Sequence, residues 1–257
     1  MQIPHSKHLE AAATLSGRSQ TDAIALLEQL RARTTPHTFW GHSKDAVVLV
    51  TEGAGAVATF MTSAINEENM AELLRTVQMA KSTIKQHGVA VAHALLAEFD
   101  KEAMHLYRDA GFTHLATLQY MEWSAKQTQR KPIQTTIAEF CETSTLEHQI
   151  LKATLERTFL GSLDCPKIHG KRSIEDILKS HQGFEPNDLS LWFIILFKNE
   201  PAGVLLLNPS KDKQYLELAY LGITPEMRRK GLAKEAMHYA INLATKRGCN
   251  HIVLAVD

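Results

Sequence analysis

The chain has 257 residues, of which 44% are hydrophobic and 22% charged, with 28 basic and 28 acidic side chains. This composition is typical of a soluble globular protein with room for two domains. The zero net charge gives no general attraction to nucleic acid or to an anionic membrane.

The cysteines and the N-terminus argue against a secreted protein. Three cysteines without a CxxC spacing cannot form a disulfide framework, which predicts a reducing, cytoplasmic location. The N-terminus lacks the apolar core of a signal peptide, and no apolar run is long enough to span a membrane. The thirteen histidines show no recognised ligand spacing, so we expect no metal ion.

The first half of the chain predicts two strands, a helix and a further strand. Ala46–Thr51 and Ala54–Met61 are apolar runs of strand length around a Glu52-Gly53 turn. The helix ends at Gly88, and Val89–Ala97 then predicts a strand. The apolar positions of this helix recur at three- and four-residue steps: Leu73, Leu74, Val77, Ala80 and Ile84.

A second amphipathic helix follows at Asp100–Phe112, and Gly111 is expected to cap it. Its apolar face comprises Ala103, Leu106, Tyr107 and Ala110. His114–Gln119 and Tyr120–Trp123 then predict a closing hairpin.

The second half repeats this arrangement roughly 160 residues later. Leu191–Lys198 and Gly203–Leu207 predict its strand pair, and Cys249–Asp257 predicts the strand after its helix. We therefore expect two tandem α/β domains, at 1–124 and 134–257, with a polar linker at 125–133 that ends near a proline.

The stretch Arg228–Ala233 connects a strand to a helix. Tyr215–Ile223 is an apolar run of strand length, Pro225 breaks it, and a helix follows that ends at Gly248. A basic, glycine-containing turn at a helix start directs free N–H groups at one point, which suits a phosphate or pyrophosphate. The sequence lacks GxxxxGK[ST] and GxGxxG, which excludes the common ATP and dinucleotide loops.

The pattern Arg-x-x-Gly-x-Ala, with Pro225 ahead of it, resembles the acetyl-CoA signature of the GNAT superfamily of N-acetyltransferases. Asp100–Phe112 is similar to the second signature of that superfamily, with Asp100 in the asparagine position. The resemblance implies an α/β (α+β) fold of tandem GNAT domains, each a mixed, mostly antiparallel sheet flanked by helices. It also implies direct transfer of an acetyl group from acetyl-CoA to a primary amine, on a small molecule or a peptide, without a metal.

Each copy carries only one of the two signatures. The position in the first copy that corresponds to Arg228–Ala233 is Glu68–Leu73, which has no glycine or cation and two carboxylates, so we expect no CoA there. The second copy lacks its C-terminal helix and strands, which predicts an open sheet edge at Ile252–Val256. A shortened sequence is the favoured interpretation, with a frameshift or completion by another chain as alternatives.

The resemblance assigns the cosubstrate contacts residue by residue. Backbone groups of Leu221 and Ile223 would pair with the pantetheine arm, and successive amides of the helix start would hold the pyrophosphate. The expected acetyl-CoA-binding residues are Leu221, Ile223, Arg228, Arg229, Lys230, Gly231, Leu232, Ala233 and Lys234.

Glu217 is the predicted general base. It lies six residues before Ile223, a spacing seen in the superfamily, and strand alternation would place it on the same face as Ala219, Leu221 and Ile223. The alternative is a glutamate at a solvated strand end or in a cross-strand ion pair. The tyrosine that often protonates the CoA thiolate is missing from this copy, because Tyr107 belongs to the other.

Two further interpretations stay open. Cys165 has no histidine pattern around it, so a buried loop thiol is favoured over a nucleophile. In the GNAT resemblance, the helix predicted at Thr145–Thr158 corresponds to the arm that shapes the acceptor pocket. The alternative function is a non-catalytic acyl-CoA-binding or scaffold protein. No nucleic-acid or membrane partner is expected. A homo-oligomer is compatible with the sequence.

Overall fold

A computed structural model describes residues 1–32, 36–42, 44–125, 139–142, 148–182, 189–210 and 214–257. The helices are α1 (His8–Leu15), α2 (Gln20–Ala32), α3 (Met70–Gln86), α4 (Lys101–Asp109), α5 (His148–Thr158), α6 (Ile174–Gln182) and α7 (Leu232–Lys246). The strands are β1 (His37–Gly41), β2 (Val47–Gly53), β3 (Val57–Thr62), β4 (Val91–His93), β5 (Gln119–Ser124), β6 (Glu139–Glu142), β7 (Trp192–Phe197), β8 (Glu200–Pro209), β9 (Tyr215–Ile223) and β10 (His251–Val256).

The chain divides into two compact units. The first comprises Met1–Leu115 and Gly170–Glu185, and the second comprises Ala116–His169 and Pro186–Asp257. These units do not coincide with the predicted domains 1–124 and 134–257, because each unit contains a segment from the other half of the chain. The predicted linker at 125–133 lies, apart from Ala125, outside the described residues.

The first unit is a four-stranded sheet with helices on both faces. Its order is β1-β2-β3-β4, antiparallel except for the parallel pair β3–β4. The run Val47–Val50 is buried throughout because its side chains alternate between two cores. Val48 and Val50 pack towards α3 and α4, whereas Val47 and Leu49 pack towards α1 and α2.

The first unit also confirms the amphipathic helix predicted at Asp100–Phe112. The carboxylate of Asp100 accepts a hydrogen bond from the backbone amide of Ala103 at 3.0 Å, which caps the N-terminus of α4. Gly111 has a φ of 80° and ends the helix. Helix α6 belongs to this unit as well, and Arg172 ahead of it donates from Nη1 to the carbonyl of Gly55 at 3.3 Å.

The second unit contains a six-stranded sheet in the order β5-β10-β9-β8-β7-β6. The β9–β10 pair is parallel and the others are antiparallel. Helix α7 covers one face with its buried residues Leu232, Ala236, Ala240 and Ala244, as the sequence periodicity predicts. Helix α5 packs on β8 and buries Leu151 and Leu155.

Strand β5 covers the edge that the sequence predicted to be open. It runs antiparallel to β10 over the whole strand, from Ser124 opposite His251 to Gln119 opposite Val256. The predicted open edge and the predicted hairpin at 114–123 are therefore wrong: only the second of those strands forms, and it pairs with β10. Backbone pairing explains this, because an unpaired edge leaves N–H and C=O groups without partners.

Among the helices that the structure describes, none is both long and apolar enough to cross a membrane.

We predict that Trp123→Ala destabilises the second unit. Trp123 of β5 packs against the core under α7 and is half-buried, so we expect a loss of about 2–3 kcal/mol in the free energy of unfolding, somewhat below the cost for a fully buried tryptophan. Denaturant unfolding measures it. The exposed Met121 of the same strand is the control, and Met121→Ala should cost less than about 0.5 kcal/mol. Equal effects of the two variants would show that β5 does not close this sheet.

Candidate functional site

Strands β9 and β10 separate part-way along their length. They pair only through Tyr215, Leu216 and Glu217 of β9, whereas β9 continues to Ile223 and β10 continues to Val256 beside β5. The edge of β9 from Leu218 onwards therefore faces an opening in the sheet, which we call the fork.

Leu221 and Ile223 direct their backbone groups into the fork. The carbonyl of Gly222 points at β8, because a Cβ added to Gly203 would lie 2.4 Å from its oxygen, and the amide of Thr224 donates to Ala202 on the same side. Since successive residues of a strand point their N–H and C=O groups to opposite edges, those of Leu221 and Ile223 point to the fork. Contact with the pantetheine arm, which the sequence analysis expected of these two residues, requires this orientation.

A β-bulge in β9 changes which side chains share a face. Leu218 pairs with Leu207, but Tyr220 pairs with Leu206, so Ala219 is an extra residue. Leu216, Leu218, Leu221 and Ile223 consequently all pack into the core under α7. Glu217 points to the opposite face, so its predicted position beside Leu221 and Ile223 is wrong. The period-2 rule fails here because the bulge shifts the alternation by one residue.

Glu217 is exposed and shares its face with Tyr220 and Gly222. That face carries α5, since Thr158 at the end of α5 contacts Tyr220 directly. The bulge therefore places the predicted base on the α5 side of the sheet, where the sequence analysis expected the acceptor pocket.

The turn before α7 leaves a series of backbone amides without partners. Arg229 and Gly231 both have left-handed backbone angles, with φ of 60° and 84°. The first amide of α7 with a carbonyl partner is that of Glu235, which donates to Gly231 at 3.1 Å. Within the described part of the chain, the amides from Arg229 to Lys234 make no backbone hydrogen bond. Such a turn at a helix N-terminus is an anion-binding concavity.

Arg228 is a structural clamp and differs from its predicted role at the phosphates. Its Nε donates to the carbonyl of Ile223 at 3.1 Å, which attaches the turn to the end of β9. Its Nη1 and Nη2 donate at 2.8–3.0 Å to the carbonyl of Thr158, the last residue of α5, and to those of Leu160 and Gly161 just after it. These bonds occupy most of the N–H donors of the guanidinium. They also satisfy carbonyls at the negative end of α5.

The other two cations of the turn are placed differently. Arg229 is exposed, and its side chain has no hydrogen bond or ion pair with any residue that the structure describes. Lys230 is directed towards β7, with Nζ 3.3 Å from the sulfur of Met227 and 5.4 Å from the ring centroid of Phe197. Both side chains keep positive charge close to the free amides.

Tyr220 is a polar group at this site that the sequence analysis missed. Its hydroxyl lies 2.6 Å from Oγ1 of Thr158, which itself donates to the carbonyl of Leu155 at 2.6 Å, so the tyrosine is the donor. Burial raises the pKa of Tyr220 to about 12, so the phenol is protonated at neutral pH. Gly222 makes room for this pair, because a Cβ there would lie 2.6 Å from the hydroxyl and 2.7 Å from Cβ of Thr158.

Cys165 has the properties of an unreactive thiol. Burial, followed by the nearby carboxylates of Asp164 and Asp257, raises the pKa of Cys165 to about 11. A thiol protonated at neutral pH is a poor nucleophile, which agrees with the favoured interpretation of the sequence. Ligand atoms of these three residues lie within 4.8 Å of one another, but both aspartates are exposed.

The corresponding helix start in the first unit is closed. Asn66 and Asn69 each accept a hydrogen bond from the backbone amide of the other at 2.9 Å. The amides of Met70, Glu72 and Leu73 donate to backbone carbonyls of these two residues. These internal bonds leave fewer free amides at this turn than at the turn before α7.

Comparisons with known proteins identify this architecture. Residues 157–257 match the model of the acetyltransferase (GNAT) family. No curated protein sequence matches the chain significantly.

Solved structures extend the likeness to nearly the whole chain. A GCN5-related N-acetyltransferase from Sphaerobacter thermophilus is 13% identical, with a TM-score of 0.61 over 98% of this chain and 82% of that one. A glucosamine N-acetyltransferase region of a fungal multi-domain GH3 β-N-acetylglucosaminidase is 13% identical, with a TM-score of 0.62 over 98% of this chain and 34% of that one. A tandem GNAT protein from the clavulanic acid biosynthesis pathway is 8% identical, with a TM-score of 0.50 over 99% and 88%.

The fold is the GNAT fold. Identities this low establish the fold alone, and they confirm the predicted class of tandem GNAT units with mixed, mostly antiparallel sheets flanked by helices.

We predict that Arg228→Lys destabilises the second unit by about 2 kcal/mol. Lysine keeps the charge but cannot reach carbonyls of β9 and of the α5 end together, and hydrogen bonds from charged donors are worth about 1.5–3 kcal/mol. Urea unfolding measures the change. Arg229→Lys is the matched control and should be within about 0.5 kcal/mol of the unchanged protein. A stability loss at Arg229 as large as that at Arg228 would contradict the clamp.

Proposed function

We propose that the second unit binds acetyl-CoA at the fork and transfers its acetyl group to a primary amine of a small molecule or a peptide. The observation that carries the proposal is the series of unpartnered amides from Arg229 to Lys234, which begins directly beside the open edge of β9. The match of residues 157–257 to the acetyltransferase family and the GNAT fold support it.

The cosubstrate would be held by backbone groups at two places. The pyrophosphate would accept hydrogen bonds from the free amides of the turn, with added charge from Arg229 and Lys230. The pantetheine arm would extend β9 as a pseudo-strand, bonded to the backbone of Leu221 and Ile223. Because Arg228 already binds the carbonyl of Ile223, the amide of Ile223 and both groups of Leu221 are the donors and acceptor that stay available.

The transfer needs one proton removed and one supplied. The amine nitrogen would attack the thioester carbon, the C–S bond would break, and the CoA thiolate would leave. Glu217 would take the proton of the amine, through a water, and the protonated phenol of Tyr220 would supply a proton to the thiolate. Both side chains lie on the α5 face. Tyr220 would thus take the role of the tyrosine that the sequence analysis found missing.

We predict that Gly231→Ala weakens acetyl-CoA binding by more than about tenfold. A Cβ at a φ of 84° strains the backbone and turns the amides of the concavity away from the pyrophosphate. Calorimetric titration with acetyl-CoA measures the affinity. Gly248→Ala is the matched control, because Gly248 has a φ of 75° at the other end of the same helix and faces open space.

The two glycine variants should lose a similar amount of stability, about 1 kcal/mol each. Only Gly231→Ala should lose affinity. Wild-type affinity in Gly231→Ala would refute the assignment of the turn to the pyrophosphate.

We predict that Glu217→Gln and Tyr220→Phe each lower turnover by about 10²–10⁴ while the affinity for acetyl-CoA stays within about threefold. Turnover is measured as release of the CoA thiol with any amine that a screen of primary amines identifies. The pH dependence separates the roles: loss of a base should remove the acidic limb of the rate profile, whereas loss of an acid should remove the basic limb. Acetyl-CoA binding without turnover on any amine would favour the alternative, a non-catalytic acyl-CoA-binding protein.

A further inference from the structure

Thr158 is a buried polar residue beside the site. It is the last residue of α5 and is only 2% exposed. Its hydroxyl donates to the carbonyl of Leu155 at 2.6 Å and lies 2.6 Å from the phenol oxygen of Tyr220. A hydroxyl has one proton, so with that proton on the Leu155 carbonyl it accepts a hydrogen bond from the phenol. The acetyl transfer proposed above assigns no role to this threonine.

The main chain of Thr158 is tied to the strand that carries Tyr220. Arg228 donates from Nη2 to the carbonyl of Thr158 at 3.0 Å and from Nε to the carbonyl of Ile223, at the end of β9, at 3.1 Å. A Cβ on Gly222 would lie 2.7 Å from Cβ of Thr158, so a glycine permits the close approach of the strand to α5. Removing the threonine hydroxyl alone therefore leaves the two backbones together.

The ring of Tyr220 is held by packing. It lies edge-to-face against the ring of Phe159, with the centroids 5.8 Å apart. The hydroxyl can still rotate about its C–O bond, and its hydrogen-bond partner determines where the proton points. Thr158 provides such a partner on the α5 side.

Proton donation by Tyr220 creates a charge that needs a donor. When the phenol gives its proton to the CoA thiolate, the O–H bond breaks, the S–H bond forms, and an electron pair stays on the phenol oxygen. A buried anion without a hydrogen-bond donor is costly. The hydroxyl of Thr158 can rotate about its Cβ–Oγ1 bond from the carbonyl of Leu155 to the phenolate, and so supply that donor.

The pKa of Tyr220 responds to the same groups. Burial is the largest effect and raises this pKa to about 12, and the charge of Asp164 acts in the same direction. The hydrogen bond with Thr158 and the charge of Arg228 both lower the pKa, because they stabilise the phenolate. Loss of the threonine hydroxyl would therefore make the phenol a weaker acid.

We propose that Thr158 is a positioning residue for the acetyl transfer, holding the phenol oxygen of Tyr220 in place and stabilising the phenolate that remains after proton donation. This inference rests on the proposed function, in which Tyr220 supplies the proton to the CoA thiolate. Thr158 itself touches neither the acetyl group nor the thiolate in this role.

Kinetics of the full chain test the role with two substitutions. Thr158→Val replaces the hydroxyl by a methyl group and should lower kcat about 10–10²-fold, while KM and affinity for acetyl-CoA stay within about threefold. Thr158→Ser keeps a hydroxyl and should restore kcat to within about threefold of the unchanged chain. Thr154, buried one turn earlier in α5, is the matched control, and Thr154→Val should leave kcat unchanged.

A double substitution separates positioning from a general effect on the fold. Residues that act as a unit have non-additive effects, so Thr158→Val should cause no further loss of kcat in the Tyr220→Phe background.

Nuclear magnetic resonance tests the contact without an acceptor amine. The chain has five tyrosines, and with ¹³C at their Cζ atoms the signal that is missing in Tyr220→Phe belongs to Tyr220. Thr158→Val should shift this signal, because the phenol loses its hydrogen-bond partner, and Thr158→Ser should return it. Thr154→Val should leave it in place.

Several results would each overturn the proposal. They are an unchanged kcat or an unchanged Cζ signal in Thr158→Val, an equal loss of kcat in Thr158→Ser or in Thr154→Val, and a further loss in the Tyr220→Phe background. Failure of the proposed function is recognised separately, by the unchanged chain binding acetyl-CoA and acetylating no amine. That result would remove the role of Thr158 in the transfer, even with the Cζ signal shifting as expected.

Discussion

The candidate site depends on a helix start whose amides are left without internal partners. Arg229 and Gly231 adopt left-handed angles, and the donors that follow them meet no carbonyl within the described residues. Arg229, Lys230 and Gly231 are exposed, so the free donors of this turn can bond to water or to a bound polyanion. Arg228 holds the turn in place by bonding to the end of β9 and to the carbonyls after α5. One side chain thus ties together the strand edge, the amide concavity and the α5 face.

The first unit shows the same helix start in a closed form. Asn66 and Asn69 exchange hydrogen bonds there, and the amides of Met70, Glu72 and Leu73 donate to their carbonyls. Closing the concavity stabilises the helix but removes the donors that a phosphate would need. The two units thus differ in how the backbone amides at the helix N-terminus are used: the first bonds several of them internally, whereas the second leaves them free. The second unit leaves the successive amides from Arg229 to Lys234 without a backbone partner among the described residues.

Each unit is completed by a segment from the other half of the chain. Strand β5 pairs with β10 in the second unit, and α6 belongs to the first, where Arg172 bonds to Gly55. The pairing of β5 leaves β10 free to diverge from β9 beyond Glu217 while its own backbone stays hydrogen-bonded. Closing the sheet edge and opening the fork are therefore consequences of the same strand placement.

The sequence alone determined the local features: the strand at Tyr215–Ile223, the helix that starts at Leu232, and the glycine turn between them. These follow from hydrophobic periodicity and from the backbone freedom of glycine, both of which act within a few residues. Only the tertiary structure decided that Arg228 binds carbonyls, that β5 closes the distant sheet, and that Glu217 shares a face with Tyr220. Each of these depends on partners far away in the chain or on one extra residue in a strand. Composition and residue spacing do not specify which backbone groups will pair.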